Sequence, residues 1–319
     1  MARNLILDCD TGVDDAVAIM LAALHPRLRL LGVTTVWGNA EVAVTTDNTL
    51  RVLDHIGRAD VPVFSGLDRP LLPRDDTPPG RPHHVGSPYL PLPAAAGTAF
   101  EQPAVEWLVE TLRAATEQVT LVATAPLTNV ATAVRLEPRL VEAVAEVVVM
   151  GGSHAVGNVT ASAERNVWSD PAAAAVVLSA GFERLVLVPL DATHDAALTE
   201  VHCRILGDLG TPAGAAASMF VADRIRAYGH DPALHQQHAA PVHDALTVAY
   251  LVAPEVLTLR HVHVAVETTD RPTYGRTVMD LDHSTGSPPN AHVALSADPA
   301  LFFEVLRSAF AVGGASGGA

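Results

Sequence analysis

The chain has 319 residues, of which 49% are hydrophobic and 4% aromatic; its formal net charge at pH 7 is −15, and all 20 basic residues are Arg. This length suffices for one large α/β domain or two small ones, with a core built mainly from Ala, Val and Leu. The acidic balance disfavours nucleic acid and anionic membrane surfaces as partners, and the absence of Lys excludes Lys-dependent phosphate loops and Schiff-base chemistry.

Short β-branched runs alternate with longer, Ala-rich helical stretches in the first part of the sequence. In chain order this alternation predicts strands over residues 4–8, 30–35, 61–64, 119–123, 144–150 and 184–189, with helices over residues 14–24, 44–56, 127–136 and 171–179. The rhythm predicts an α/β fold in which an open, mostly parallel central sheet is flanked by helices on both faces. We expect a single domain over residues 1–312 and a disordered, Gly-rich tail over residues 313–319.

Two stretches rich in Pro, Gly or His, residues 69–96 and 228–242, interrupt this rhythm and are candidate lids near a site. The N-terminal segment lacks the apolar run of a signal peptide, and no apolar stretch approaches the ~20 residues that cross a bilayer. Cys9 and Cys203 are far apart in the sequence, which favours neither a disulfide framework nor a thiolate zinc site. We therefore expect a cytoplasmic protein.

An acidic cluster follows the first predicted strand directly. Its members are Asp8, Asp10, Asp14 and Asp15. Four carboxylates within eight residues repel one another unless a cation neutralises them. In open α/β sheets, ligand sites lie at the carboxyl ends of the strands. Because the available ligands are all oxygens, the cluster favours Ca²⁺ or Mg²⁺ over zinc.

Two known aspartate patterns fit this cluster poorly. An EF-hand loop that began at Asp8 would need a preceding helix and a Glu at its twelfth position, where Ile19 stands. A phosphatase of the haloacid-dehalogenase type also opens with a strand and two aspartates, but it typically needs a downstream Lys, and the chain has none. The phosphatase is therefore a distant alternative.

A third pattern fits better. Residues 8–22 resemble the N-terminal signature D-x-D-P-G-x-D-D-A of the inosine-uridine preferring nucleoside hydrolases, with Thr11 where that family usually has Pro. Further segments are similar to family motifs in the same order, at residues 34–39, 124–129, 150–158, 163–171 and 243–244. Each motif alone is weak, but six in order are specific, and the resemblance spans about residues 4–308.

The resemblance implies a Rossmann-like nucleoside hydrolase fold and an enzyme that hydrolyses ribonucleosides to free base and ribose. It implies that Ca²⁺ is the cofactor and that its ligands are Asp10, Asp15, the main-chain carbonyl of Thr124 and Asp244. The ion would activate a water whose proton Asp10 accepts. His243, next to Asp244, is the candidate acid that protonates the departing base.

The resemblance also implies which residues bind the nucleoside. The matching positions are Asp14, Asn39, Asn166 and Asp244 around the ribose 2′- and 3′-hydroxyls, and Asn158 and Glu164 near the 5′-hydroxyl. The partner is then a small-molecule nucleoside. Because homologues commonly assemble as dimers or tetramers, we also expect a homo-oligomer.

Arg165 departs from the family pattern, since Phe usually stands there between two substrate-binding positions. A fixed charge with a planar fork of donors can alter recognition near the 5′ end and admit a 5′-phosphate or another anion. An N-glycosidase of a modified nucleoside or nucleotide therefore stays open, as does a relative that binds nucleosides without hydrolysing them. Base preference is also open, and neither His83 nor His84 is assigned a role.

Overall fold

The computed structural model describes residues 2–72, 87–230, 234, 236–269 and 272–312. The predicted tail over residues 313–319 lies outside them, as do His83, His84 and the central part of the first predicted lid. Within the described part of the chain, no helix is both long and apolar enough to span a membrane.

The described residues include eleven strands and twelve α-helices with the following bounds. The strands are β1 (Arg3–Cys9), β2 (Leu28–Thr35), β3 (Val63–Ser65), β4 (Val119–Ala123), β5 (Val144–Met150), β6 (Leu185–Val188), β7 (Leu198–Thr199), β8 (Ala239–Ala240), β9 (Leu257–Val266), β10 (Thr277–Asp280) and β11 (Ala291–Ala297). The helices are α1 (Val13–Leu24), α2 (Val42–His55), α3 (Ala104–Ala114), α4 (Thr128–Leu136), α5 (Leu140–Ala143), α6 (Arg165–Ser169), α7 (Pro171–Leu178), α8 (Leu190–Asp195), α9 (Glu200–Gly207), α10 (Pro212–Ala227), α11 (His243–Val252) and α12 (Pro299–Ala311).

Nine of these strands form one sheet in the order β10-β9-β11-β6-β5-β4-β1-β2-β3. Neighbours from β11 to β3 are parallel, whereas β9 runs antiparallel to both β10 and β11. The central strands are buried along almost their whole length, which is why they read as apolar runs without alternation. The predicted α/β class with an open, mostly parallel sheet is confirmed.

Two apolar clusters cover opposite faces of this sheet. Leu5 and Leu7 of β1 belong to one cluster, whereas Ile6 between them belongs to the other, because successive side chains point to opposite faces of a strand. Helices α1, α10, α11 and α12 supply the first cluster, and α3, α4 and α7 supply the second. Within the first cluster α1 packs against both α10 and α11, which brings the N-terminal turns of α1 and α11 close together.

The strand register brings three chain segments to one edge of the sheet. β1 lies between β2 and β4, with Asp8 opposite Thr34 on one side and Ala123 on the other. The segments that follow these strands therefore leave the sheet side by side. This edge is where the acidic cluster was expected to meet its ligand.

The bounds of the ten predicted elements differ from the observed bounds by at most two residues at either end. Helices α3, α5 and α6 have no counterpart in the predicted series, nor does any element after residue 189. The last three strands, β9 to β11, do not alternate with helices. They form a partly exposed, partly antiparallel extension of the sheet.

Candidate active site

A pocket lies at the C-terminal ends of the central strands. Its lining residues are Asp10, Val13, Asp14, Asn39, Thr124, Met150, Asn158, Glu164, Arg165, Asn166, Arg224, His243 and Asp244. Of the predicted site residues, Asp15 is not part of the lining; it is fully buried and bonds to Asn39 and Thr124 of the lining. The fold thus brings the predicted residues together although they are spread from position 10 to position 244.

Asp10 directly follows β1, and its carboxylate is held by the loop after β2. The backbone N–H of Asn39 donates to Asp10 Oδ2 at 2.6 Å, and the Asn39 side-chain amide donates to Oδ1 at 3.1 Å. Gly38 permits this approach, since a Cβ at that position would collide with Asp10 Oδ2. The loop after β2 therefore fixes the orientation of Asp10.

Asp15 lies in the first turn of α1, where a carboxylate suits the positive end of the helix. Its Oδ2 accepts from Gly12 N at 2.9 Å and from Asn39 Nδ2 at 3.3 Å, and its Oδ1 accepts from the Thr124 hydroxyl at 2.8 Å. The main-chain carbonyl of Thr124 accepts the Asn166 amide at 2.9 Å. A carbonyl oxygen has a second lone pair, so this hydrogen bond does not exclude a cation at Thr124.

Three buried carboxylates converge from two helices that pack side by side. Asp14 and Asp15 lie at the start of α1 and Asp244 at the start of α11, and one oxygen of each lies within 4.8 Å of the others. Oxygen ligands in this arrangement suit a divalent cation such as Ca²⁺. This group contains Asp14, which was predicted to bind the sugar, and does not contain Asp10, which was predicted to bind the metal.

Burial raises the pKa of the Asp10, Asp15 and Asp244 carboxyl groups. It raises the pKa of Asp10 and of Asp244 well above the ordinary value, and the neighbouring carboxylates raise both further. Burial and the charge of Asp14 raise the pKa of Asp15 to about 7. A divalent cation is the largest local charge in such a site and favours the ionised carboxylates. The oxygen ligands of this site and the negative charge of its carboxylates therefore both suit a divalent cation.

A buried Arg that sequence reasoning missed lies beside these carboxylates. Arg224 Nη1 is 3.1 Å from Asp14 Oδ2, and each side chain is 10% exposed. Burial alone would lower the pKa of Arg224, but the charges of Asp14, Tyr228 and the other aspartates raise it above the ordinary value. Arg224 lies four residues before Tyr228, but only the packing of α10 against α1 shows that it reaches Asp14.

His243 is the first residue of α11, and both of its ring nitrogens contact hydroxyl groups. Nε2 is 2.7 Å from the Tyr228 hydroxyl, and Nδ1 is 2.7 Å from the Thr193 hydroxyl. Tyr228 belongs to the second predicted lid, so that segment does reach the pocket at this residue. The sequence carried no signal for Thr193, which lies in α8. The two hydroxyls orient the imidazole ring.

Glu164 caps the N-terminus of α6. Its carboxylate accepts from the backbone N–H groups of Gly152 at 3.0 Å, Asn166 at 2.8 Å and Val167 at 3.1 Å. Burial raises the pKa of Glu164, whereas the three backbone donors lower it. Glu164 thus lines the pocket and also joins the end of β5 to α6.

Arg165 lines the same pocket as Glu164. Burial lowers the pKa of its guanidinium, whereas the charges of Glu164 and Asp10 raise it. Its backbone N–H donates to Oδ1 of the exposed Asn158 at 2.9 Å. A positive charge therefore lies in the pocket wall together with two residues predicted to lie near a 5′-hydroxyl.

Comparisons with known proteins show which family the chain belongs to. The profile of the family described as inosine-uridine preferring nucleoside hydrolase matches residues 5–304. The chain is 36% identical over 308 residues to the pyrimidine-specific ribonucleoside hydrolase RihB of Escherichia coli (strain SE11), covering 96% of each chain. It is also similar to a solved purine-preferring ribonucleoside hydrolase from Gardnerella vaginalis, with a TM-score of 0.85, 27% identity and coverage of 97% of this chain and 98% of that one.

A solved plant nucleoside hydrolase has the same fold, with a TM-score of 0.87, 25% identity and coverage of 98% of this chain and 99% of that one. The agreement thus extends over the whole fold and includes every segment that lines the pocket. The chain therefore belongs to the inosine-uridine preferring nucleoside hydrolase family and is an enzyme that hydrolyses the N-glycosidic bond of ribonucleosides.

Proposed function

We propose that the enzyme releases the free base from pyrimidine ribonucleosides and uses Ca²⁺ bound at the buried carboxylates. The observation that carries the proposal is the convergence of Asp14, Asp15 and Asp244 within 4.8 Å beside the pocket that His243 lines. The pyrimidine preference is supported by the 36% identity to RihB, whose name states that specificity. The purine-preferring structure is less similar in sequence, at 27% identity.

In this proposal Ca²⁺ is held by Asp10, Asp15, the Thr124 carbonyl and Asp244. When bound, the ion would acidify water and orient sugar hydroxyls. Asp10 is the proposed base, because its carboxylate lines the pocket beside the proposed cation site. The two hydrogen bonds from Asn39 hold that carboxylate in one orientation.

Cleavage of a ribosyl–base bond develops positive charge on the ribose, as in other glycoside hydrolyses. The buried carboxylates of Asp14 and Asp244 are fixed negative groups that stabilise this charge. The proposed contacts to the 2′- and 3′-hydroxyls are Asp14, Asn39, Asn166 and Asp244, and those to the 5′-hydroxyl are Asn158 and Glu164. Asn39 donates its amide to two aspartates, which leaves its Oδ1 to accept from a hydroxyl.

The departing base needs a proton, because a free pyrimidine anion is a poor leaving group. His243 is the proposed acid, since it lines the pocket and an imidazolium can donate a proton to a leaving group. Thr193 contacts Nδ1 and Tyr228 contacts Nε2, so to protonate the base Nε2 would exchange its contact with the Tyr228 hydroxyl for one with the base. The adjacent Asp244 would bind the metal, so the first turn of α11 would supply both the acid and a metal ligand.

Base release from uridine, cytidine and inosine in the presence of Ca²⁺ tests this proposal. We expect uridine and cytidine to be hydrolysed faster than inosine, with reducing sugar formed in equal amount. Dialysis against EDTA should abolish the activity, and added Ca²⁺ should restore it. A protein that releases no base from any ribonucleoside, or that keeps full activity after EDTA, would contradict it, and phosphate release from phosphate esters would favour the phosphatase alternative.

Arg165 supports a second candidate function, the hydrolysis of nucleosides that carry an anion at the 5′ end. Its guanidinium lines the pocket beside Asn158 and Glu164, the residues proposed for the 5′-hydroxyl. A guanidinium can bind phosphate or carboxylate through two parallel hydrogen bonds. This candidate concerns the same reaction on a nucleotide such as uridine 5′-monophosphate.

Replacing Arg165 separates the two candidates. If Arg165 binds a 5′-anion, Arg165→Phe should lower kcat/KM for uridine 5′-monophosphate by about tenfold or more while uridine hydrolysis changes little, because only the nucleotide loses an ionic contact. Arg165→Lys, which keeps the charge, should lower kcat/KM for uridine 5′-monophosphate by a smaller factor. Equal kinetics of the parent and Arg165→Phe on both substrates would assign Arg165 no part in recognition.

The other sequence-based expectations stay predictions. They are a single domain over residues 1–312, a homo-oligomer and a cytoplasmic location. Size-exclusion chromatography with light scattering measures the oligomeric state, for which the family resemblance is the support.

A further inference from the structure

Arg224 makes a selective ionic contact in the pocket. Four buried aspartates lie in the pocket wall or directly behind it: Asp10, Asp14, Asp15 and Asp244. Among the described residues, Arg224 is within 4.0 Å of a carboxylate oxygen of Asp14 and of none of the other three. The positive charge is therefore placed on one particular carboxylate and is not shared evenly over the cluster.

Arg224 is itself held firmly by the protein. Its Nε donates to the main-chain carbonyl of Pro241 at 2.7 Å, and its Nη2 donates to the Tyr228 hydroxyl at 3.4 Å. Its guanidinium carbon lies 5.3 Å from the centroid of the Tyr228 ring, a distance that favours a cation–π contact. These contacts hold the guanidinium in place, so Arg224 offers the Asp14 carboxylate a positive charge at a fixed position.

The position of Asp14 matters because two ligands can compete for it. Asp14, Asp15 and Asp244 each offer an oxygen within 4.8 Å of the others, so a divalent cation can attract all three carboxylates. The ion pair with Arg224 already engages Asp14 Oδ2 at 3.1 Å. A carboxylate paired in this way is a weaker ligand for a cation but still accepts a hydrogen bond from a neutral hydroxyl.

We infer that Arg224 is a positioning residue that reserves Asp14 for the sugar and keeps it away from the divalent cation. The inference rests on the proposed function and deepens it, because Asp14 is the proposed acceptor for the ribose 2′- and 3′-hydroxyls. Arg224 thereby sets the preference for ribonucleosides over 2′-deoxyribonucleosides. The side chains of Asp10, Asp15 and Asp244 are left for the cation.

The first test compares uridine with 2′-deoxyuridine. Arg224→Met should reduce the ratio of the two kcat/KM values by about tenfold or more, because a misplaced Asp14 no longer favours the substrate that has the 2′-hydroxyl. Arg224→Lys keeps the charge but lacks the planar fork of donors, so its ratio should lie between those of the parent and Arg224→Met. Arg226→Met is the matched control, since Arg226 is exposed on the same helix and pairs with Asp223; its ratio should equal that of the parent.

A double-substitution cycle shows whether Arg224 acts through Asp14. Asp14→Asn alone should lower the uridine to 2′-deoxyuridine ratio, and adding Arg224→Met to it should lower the ratio no further. If the two substitutions lower the ratio independently, Arg224 does not act through Asp14 and the inference is wrong.

Calcium affinity supplies a readout that needs no turnover. In calorimetric titrations with Ca²⁺, Arg224→Met should bind the ion several-fold more tightly than the parent, because a neighbouring positive charge is removed and Asp14 becomes available to the cation. Weaker Ca²⁺ binding by Arg224→Met would overturn the inference, because Arg224 would then support the cation site. If Arg224→Met does not fold in thermal melts, Arg224→Lys and Arg224→Gln carry the same comparisons.

These outcomes separate the inference from the proposed function. A parent enzyme that hydrolyses no ribonucleoside with Ca²⁺ defeats the proposed function. If the parent is active and every folded Arg224 variant keeps the parent's ratio of kcat/KM for uridine to kcat/KM for 2′-deoxyuridine, only the proposed role of Arg224 is wrong.

Discussion

Single residues in this pocket take their roles from partners that are distant in the sequence. His243 lies between the hydroxyls of Tyr228 and Thr193, 2.7 Å from each, so its ring cannot turn without breaking a hydrogen bond. A general acid is most effective when it is held in one orientation toward its substrate. The two hydroxyls therefore hold the imidazole ring of His243 in one orientation.

Replacement of His243 should affect substrates according to their leaving groups. His243→Gln should lower kcat for uridine by about 10²-fold or more, because the base must then leave without a proton. Hydrolysis of p-nitrophenyl riboside should change by less than about tenfold, since a nitrophenolate leaves without protonation. Steady-state assays of both substrates measure this, with His261→Gln on the exposed part of β9 as the control. Equal losses on both substrates would contradict an acid role.

Asn129 shows that a residue in a family-like motif can be structural. Its side chain is fully buried, donates to Asp8 Oδ1 at 2.8 Å and to the Thr35 carbonyl at 2.9 Å, and accepts from Leu67 N at 3.0 Å. These hydrogen bonds join the ends of β1 and β2 to the start of α4. Asn129 does not line the pocket, so it acts by holding the strands that do.

At the scale of elements, the short helix α6 depends on one carboxylate. Glu164 accepts from two backbone N–H groups in the first turn of α6 and from Gly152 N after β5. Because burial removes these donors from water, each of them needs an acceptor from the protein. Glu164 therefore determines where α6, and with it Asn166, lies relative to the pocket.

Substitutions at Glu164 should lower stability in a graded way. Glu164→Ala leaves three backbone donors without an acceptor and should lower the free energy of unfolding by about 2–4 kcal/mol, whereas Glu164→Gln keeps one acceptor oxygen and should lose about half as much. Urea unfolding monitored by circular dichroism measures both. The control is Glu183→Ala at an exposed position, expected within about 0.5 kcal/mol of the parent. A Glu164→Ala variant as stable as this control would rule out the capping role.

At the scale of the whole molecule, the buried carboxylates link stability to pH and to cation binding. The pKa of Asp15 is raised from its ordinary value of 3.8 to about 7, and burial raises the pKa of Asp10 and Asp244 as well. Between about pH 4 and pH 7 the folded, cation-free chain then binds more protons at Asp15 than the unfolded chain. Its free energy of unfolding therefore falls as the pH rises through this window.

Calcium should reverse this dependence. In EDTA the Tm should fall between pH 5 and pH 7.5, by about 5 °C or more, and the increase in Tm on adding Ca²⁺ should grow over the same range because protons compete with the cation. Asp15→Asn, measured in EDTA, should show a shallower fall because it lacks one of the titrating groups. Differential scanning fluorimetry across this pH range measures all three. A Tm in EDTA that rises with pH would show that the buried carboxyl groups do not control stability.

The sequence by itself determined the fold class, the family and most of the residues that line the pocket. Apolar strand runs and Ala-rich helices carry a local signal, so six strands and four helices were predicted with bounds correct to within two residues. The motifs around Asp10, Asn39 and Thr124 directly follow strands, and the ends of neighbouring parallel strands meet at one edge of a sheet. Their convergence therefore followed from local pattern and strand order.

Only the tertiary structure decided which charges meet inside the pocket. Arg224 reaches Asp14 because α10 packs against α1, and Thr193 reaches His243 because α8 packs against α11. The closeness of Asp14, rather than Asp10, to Asp15 and Asp244 likewise depends on how α1 lies beside α11. Local periodicity tells which face of a helix is buried, but the partner of a buried charge is set by the packing of elements that are remote in the chain.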